Sequence, residues 1–107
     1  MNKRIKKLWV SALRSGKYKQ GQEQTKDQTR YCCLGVLCDL YAKEKGLTWR
    51  DDRVSDGGDR MKCGKAVIEW AKLPNGNPVV KGLLLTRWND VEMATFSQIA
   101  DLIEANL

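Results

Sequence analysis

The chain has 107 residues, of which 42% are hydrophobic and 30% charged, and its 19 basic and 13 acidic side chains give a formal net charge of +6. That length fits one domain spanning residues 1–107, and the balance is globular rather than disordered. No apolar run approaches the ~20 residues that cross a bilayer, and the basic start MNKRIKKLWVSAL breaks at Ser11 with no small-residue cleavage site. Neither a membrane span nor an export signal is therefore expected.

Residues 3 to 15 read as an amphipathic helix, with Ile5, Leu8, Trp9, Ala12 and Leu13 on one face and Gly16 as its stop. Residues 17 to 29 are polar and lack periodicity, which predicts a loop with room for a short hairpin. Arg30 to Gly46 is the main apolar segment and predicts a largely buried helix ending at Gly46. Gly35 costs about 1 kcal/mol against alanine in a helix, so it signals a close backbone approach or a later helix start. Thr48 to Val54 reads as a strand leading into an Asp56-Gly57-Gly58 turn. Gly64 to Lys72 predicts a short helix stopped by Pro74, followed by a turn at Asn75-Gly76-Asn77-Pro78 and an extended Val79-Val80. Leu83 to Trp88 is ambiguous between helix and strand. The last helix is announced by Thr95 and Gln98, a T-x-x-Q capping box, with Phe96, Ile99, Ala100, Ile103 and Leu107 as its buried stripe.

The charge is unevenly spread. The first twenty residues carry Lys3, Arg4, Lys6, Lys7, Arg14, Lys17 and Lys19 and no acid, whereas the stretch from Trp88 carries Asp90, Glu92, Asp101 and Glu104 and no base. The two ends are electrically complementary and are expected to pack together.

Cys32, Cys33, Cys38 and Cys63 are expected to be reduced, and the chain has no histidine. Zinc sites pair cysteines as C-x₂₋₄-C, whereas here two are adjacent, the next lies five positions on, and no histidine completes a mixed set. The expected role is small buried hydrophobe, with no metal and no cofactor. Cys32 or Cys33 near a helix N-terminus beside Arg30 has the setting of a low-pKa thiol, but it lacks the usual neighbouring base. A calcium loop started at Asp52 aligns Asp56 and Gly57, but it leaves Val54 at a ligand position and Cys63 where a bidentate Glu belongs. No phosphate-binding glycine motif occurs. The residue inventory therefore points away from an enzyme and towards a binding protein.

Four tryptophans are many for this length. Trp9 and Trp70 fit core faces. Trp49 and Trp88 either cap the core edge or contact a ligand, and Trp88 lies beside Arg87, Asn89 and Asp90.

The run Tyr31-Cys32-Cys33-Leu34-Gly35-Val36-Leu37-Cys38-Asp39-Leu40 is distinctive. Upstream stand Trp9, Leu13, Ser15-Gly16-Lys17-Tyr18 and Gln20; downstream stand Asn89-Asp90 and Phe96-Ser97-Gln98-Ile99-Ala100. Together they resemble a family of small tailed-phage and prophage proteins without an assigned function. The chain departs from that pattern at Cys63-Gly64, where a Leu-Pro pair is expected. The resemblance implies a phage origin and a bacterial host cytoplasm, and it carries no catalytic residues. By analogy of setting it implies counter-defence, either by covering a host protein or by sequestering a nucleotide immune signal, often as a homo-oligomer.

The expectation is a mainly α domain with at most one short β-hairpin, α+β being the alternative, in which the Arg30–Gly46 helix is central and the first and last helices pack on it. If a nucleotide is held, Arg30, Tyr31, Arg87, Trp88 and Asn89 are the residues expected beside it, arginine on phosphate and an aromatic on the base. The competing function is a basic nucleic-acid-binding accessory protein working through the first helix and Lys17-Tyr18-Lys19.

Overall fold

The structure, a computed structural model, describes residues 1–50, 53–54 and 62–107. The chain order is α1 (Lys3–Arg14), β1 (Lys19–Gln20), β2 (Lys26–Asp27), β3 (Arg30–Tyr31), α2 (Cys33–Lys45), β4 (Trp49–Arg50), β5 (Arg53–Val54), α3 (Lys65–Ala71), β6 (Val79–Val80), β7 (Leu83–Leu84), α4 (Leu85–Asp90) and α5 (Phe96–Asn106). This corrects the mainly α expectation with its single hairpin. The fold is α+β, with a three-stranded sheet ordered β1-β3-β2 and the two-stranded pairs β4–β5 and β6–β7. Strands of two residues leave no alternating hydrophobic pattern in a sequence, so periodicity alone could not reveal them. The Asp56-Gly57-Gly58 turn and the calcium-loop acids Asp51, Asp52, Asp56 and Asp59 lie outside the described residues.

The segment read as a loop forms most of the first sheet. β3 is central, parallel to β1 (Lys19 opposite Arg30, Gln20 opposite Tyr31) and antiparallel to β2 (Asp27 opposite Arg30, Lys26 opposite Tyr31). Paired residues share a sheet face and successive ones alternate. Lys19, Arg30 and Asp27 accordingly stand exposed on one side, while Gln20, Tyr31 and Lys26 are half-buried on the other.

This sheet shortens the expected Arg30–Gly46 helix at its start. Arg30 and Tyr31 belong to β3, and α2 begins at Cys33 with Cys32 as its cap, the Cys32 Sγ accepting from Gly35 N at 3.4 Å. Gly35 turns out to mark both a late start and a close approach. A Cβ there would lie 1.6 Å from the carbonyl oxygen of Thr25, so the loop before β2 rests directly on the first turn of α2. At the other end α2 stops at Gly46, as expected, and that glycine adopts the left-handed conformation. Between these limits α2 is buried on nearly every side, with Cys33 through Asp39, Tyr41 and Ala42 all inaccessible.

α1 buries Ile5, Trp9, Val10 and Leu13. Leu8, expected inside, is 40% exposed. The helix packs against α2 and, more extensively, α5, and this pair of neighbours turns its buried face towards Val10 and away from Leu8. The complementary ends do meet: Arg14 pairs with Asp101 at 2.6 Å and Glu104 at 3.2 Å, and the Met1 ammonium donates to Leu107 O at 3.2 Å. α5 makes its most extensive contact with α1; each of the two helices buries an apolar stripe, and the exposed ion pairs of Arg14 add little to what that burial contributes.

Leu83 to Trp88 proves to be strand and helix in succession. β6 and β7 join through a two-residue turn, Lys81-Gly82, with φ of +48° and +81°, the pattern of the hairpin turn that matches strand twist. α4 follows at once without a capping side chain of its own. Its first amides are satisfied from upstream: Leu85 N donates to Pro78 O at 2.9 Å and Thr86 N to Asn77 Oδ1 at 3.2 Å. α5 carries the capping box that was read from Thr95 and Gln98.

Gly35→Ala is expected to lower stability by about 3 kcal/mol or more, because the added methyl meets backbone that cannot yield by rotation. Urea denaturation measures this, and a midpoint within experimental error of the parent would contradict the contact.

Candidate functional site

Asn89 was expected beside a ligand, but it faces the interior. It is fully buried in α4. Its Oδ1 accepts from Gln20 Nε2 at 3.0 Å and Cys33 N at 3.2 Å, and its Nδ2 donates to Gly21 O and Asp90 Oδ1, both at 2.8 Å. That uses the full capacity of a side-chain amide. Gln20 extends the network, donating to Ala94 O at 2.8 Å and accepting from Phe96 N at 3.2 Å. Two amides thus join β1, the start of α2, α4 and the start of α5. Sequence reading missed this hub, although Gln20 and Asn89 both stand among the positions flanking the Tyr31–Leu40 run.

Trp88, on the same helix, is half-buried and donates Nε1–H to Val80 O at 2.9 Å. Its ring lines a groove of about 440 Å³ between α4 and α5, with Lys81, Glu92, Gln98, Asp101 and Asn106 as the polar lining and Ala94, Leu102 and Ala105 as the apolar part. Arg87 is exposed and does not line this groove. The groove thus sets an aromatic face and the Lys81 ammonium beside Glu92, while Asp101 is held by Arg14 and the two amides are partly committed, Gln98 accepting from Thr95 N and Asn106 donating to Leu102 O.

Arg30 and Tyr31 lie elsewhere and point apart, Arg30 on the solvent face of the first sheet and Tyr31 on its inner face. The Tyr31 ring meets Tyr18 edge-on at 5.1 Å and Trp49 at 5.9 Å, and Lys26 Nζ sits 5.7 Å from the Tyr31 centroid and 5.4 Å from that of Trp49. Behind these rings is Asp39, a buried carboxylate that sequence reading passed over. It accepts from Tyr18 Oη at 2.5 Å and Trp49 Nε1 at 2.9 Å, and it pairs with Lys43 at 3.1 Å, one helical turn along α2. Burial works against its charge, but these three donors outweigh burial and hold its pKa below the usual carboxylate range. The Tyr18 phenol is pushed up to about 12 by burial and by its bond to Asp39. Trp49 therefore serves this cluster through its Nε1–H and its ring, and Tyr31 through its ring.

The five residues expected at one ligand site divide accordingly. Trp88 lines a groove, Arg87 and Arg30 are on the surface, Tyr31 is in the aromatic cluster and Asn89 is in the buried network.

The thiols are all buried. Burial pushes Cys32 up to about 12 and raises Cys33 well above its ordinary value, overriding the helix N-terminus that would favour a thiolate. Cys38 and Cys63 Sγ atoms lie 3.8 Å apart, and this contact together with burial raises Cys63 strongly. Among the described residues no group of three His, Cys, Asp or Glu side chains is arranged to hold a metal ion.

Asn89→Ala is expected to cost about 3 kcal/mol by leaving the Gly21 carbonyl, the Cys33 amide and the Gln20 side chain buried without their partner; thermal and urea unfolding read the loss. Neutral-pH alkylation should leave all four thiols unmodified until the chain is unfolded. Rapid labelling of Cys32 or Cys33 in the native protein would contradict their burial. For Tyr18 the folded pKa lies above the ordinary value of about 10, so its contribution to stability is complete below pH ~10 and fades as pH rises through ~12. Asp39, shifted downwards, has the opposite sign: its contribution is complete above the ordinary carboxylate pKa and is lost as pH falls through its lowered one. Denaturation of the parent and of Tyr18→Phe or Asp39→Asn variants across pH separates the two arms.

Among the described residues no helix is long and apolar enough to cross a membrane. No curated protein and no solved structure matches the chain. The model of a family described as a domain of unknown function, DUF8296, matches residues 1–107. Since that match runs along all of the residues described above, the chain belongs to the DUF8296 family.

Proposed function

We infer that this domain is a phage-encoded, non-catalytic binding protein of the bacterial host cytoplasm. It holds a small nucleotide in the α4–α5 groove and so withholds an immune signal from the host. One observation carries the reading: Trp88 lines a groove of about 440 Å³ together with Lys81, Gln98 and Asn106, with Glu92 and the Arg14-paired Asp101 also on its wall. An aromatic face can take a base, the ammonium a phosphate, and the amides a base edge or a ribose hydroxyl. The setting rests on the resemblance of the Tyr31–Leu40 run and its flanking motifs to phage proteins. The buried thiols with raised pKa values favour binding over thiol chemistry.

A second reading, capture of a host protein, is favoured by Val79, Leu84, Val91 and Met93, which are between 44% and 61% exposed. Val79 and Leu84 stand directly opposite one another across the β6–β7 hairpin, and contiguous exposed apolar side chains of this kind mark contact surfaces.

Isothermal titration with adenosine and guanosine phosphates and with cyclic dinucleotides tests the first reading. Lys81→Asn is the informative variant, because asparagine tolerates the left-handed backbone that Lys81 adopts at the turn. Loss of a charge-assisted contact should weaken binding about tenfold or more. Absence of heat with every probe at about 1 mM ligand would overturn the nucleotide reading, and a stable complex from host lysate would then favour the second.

A further inference from the structure

The cations of α1 are not equally available. Arg4 is held by Glu44 through two contacts, at 2.8 and 3.2 Å, and Arg14 by Asp101 and Glu104. Lys3, Lys6 and Lys7 form no ion pair with any described residue, and they line one cleft of about 340 Å³ with Val10, Ser11, Arg14 and Glu104. The only carboxylate there, Glu104, is already engaged by Arg14. At 100° per residue Lys3, Lys7 and Arg14 fall in one line along the helix. Ser11 also lines the adjoining cleft, whose walls include Ser15, Lys17, Tyr18 and Lys43. The unpaired lysines of this cationic track therefore occupy the first turns of α1, about 6 Å from Lys3 to Lys7 at 1.5 Å per residue, and Lys17 adds a further cation past the end of the helix beyond the ion-paired Arg14.

We propose that this track is a binding surface for the phosphodiester backbone of duplex nucleic acid, separate from the Trp88 groove. Its lining decides the class of ligand. The Lys3–Lys7 cleft has no aromatic ring in its lining, and Tyr18 in the adjoining cleft is tied to Asp39, packed edge-on to Tyr31 and covered by the Lys43 ammonium, so the track lacks the open stacking platform that single strands require. An amphipathic helix that lies on a lipid surface must offer its apolar face to the bilayer. Here Ile5, Trp9 and Leu13 are 0 to 3% exposed beneath α2 and α5, which leaves Leu8 alone outside. Lysines and a hydroxyl along a straight helix suit contacts to successive phosphates, and such contacts carry no sequence information.

Fluorescence anisotropy with a mixed-sequence DNA duplex, titrated between about 50 and 200 mM salt, tests this. If Lys3, Lys6, Lys7 and Lys17 each neutralise one phosphate, log K should fall against log salt with a slope of about −3.6. Replacing Lys3, Lys6 and Lys7 by glutamine should bring that slope down to about −0.9. The exposed pair Lys3→Gln and Lys7→Gln guards against a folding artefact, and circular dichroism should match the parent. A scrambled duplex should bind equally well, and Lys81→Asn should bind the duplex like the parent whatever it does to nucleotides. Failure to bind at the lowest salt, a slope unchanged in the triple variant, or preference for a single strand or for vesicles containing anionic lipid would each overturn the proposal.

Discussion

The fold is organised around two side-chain amides, the buried Asn89 and the half-buried Gln20. Asn89 and Gln20 lie 69 residues apart in sequence and 3.0 Å apart in space, and between them they bond to four separate segments. A side-chain amide can satisfy backbone donors and acceptors at once, which no apolar residue can do. The start of α2, the end of β1 and the start of α5 each expose backbone groups that must be paired once buried. The amides supply these bonds where no regular ladder reaches. Much of the rest follows: β1 is held against α4, the first sheet closes over the α2 N-terminus, and Gly35 is required beneath Thr25 because that closure brings backbone onto backbone.

Charge is partitioned in the same way between structure and surface. The arginines of α1 are committed to Glu44, Asp101 and Glu104 across helix interfaces. Arginine suits that role because its planar fork can meet two acceptor oxygens. The lysines of the same helix remain in solvent, where a compact, flexible ammonium costs least. The net charge of +6 is thus expressed mainly by lysines along α1 and the following segment, while the α4–α5 side carries a more balanced mixture around Trp88. Two faces of different chemistry on one small domain leave room for two kinds of contact.

The cysteines show how position overrides residue chemistry. Cys32 caps a helix and Cys33 opens it, a setting that by itself favours thiolates. Complete burial reverses the outcome, and the Cys33 Sγ instead points a weak donor at Leu85 O, 3.7 Å away. In this core cysteine acts as a small apolar residue with adaptable polar contacts.

What the sequence determined by itself was local. The periodic helices α1, α3 and α5, the left-handed stop at Gly46, the Thr95–Gln98 box and the pairing of basic and acidic ends all follow from spacing and capping within a few residues, or from the sign of charge along the chain. The tertiary structure decided the rest. α4 has no cap of its own, because Asn77 and Pro78 satisfy its first amides from across the β6–β7 hairpin. Arg30 and Tyr31 look like neighbours suited to one ligand, yet β3 turns them to opposite faces. Asn89 looks like a polar surface residue beside Trp88, yet the helix that shows Trp88 to a groove turns Asn89 inward. Two-residue strands and single buried amides depend on partners dozens of positions away, and a sequence pattern records only what lies within a turn or a pleat.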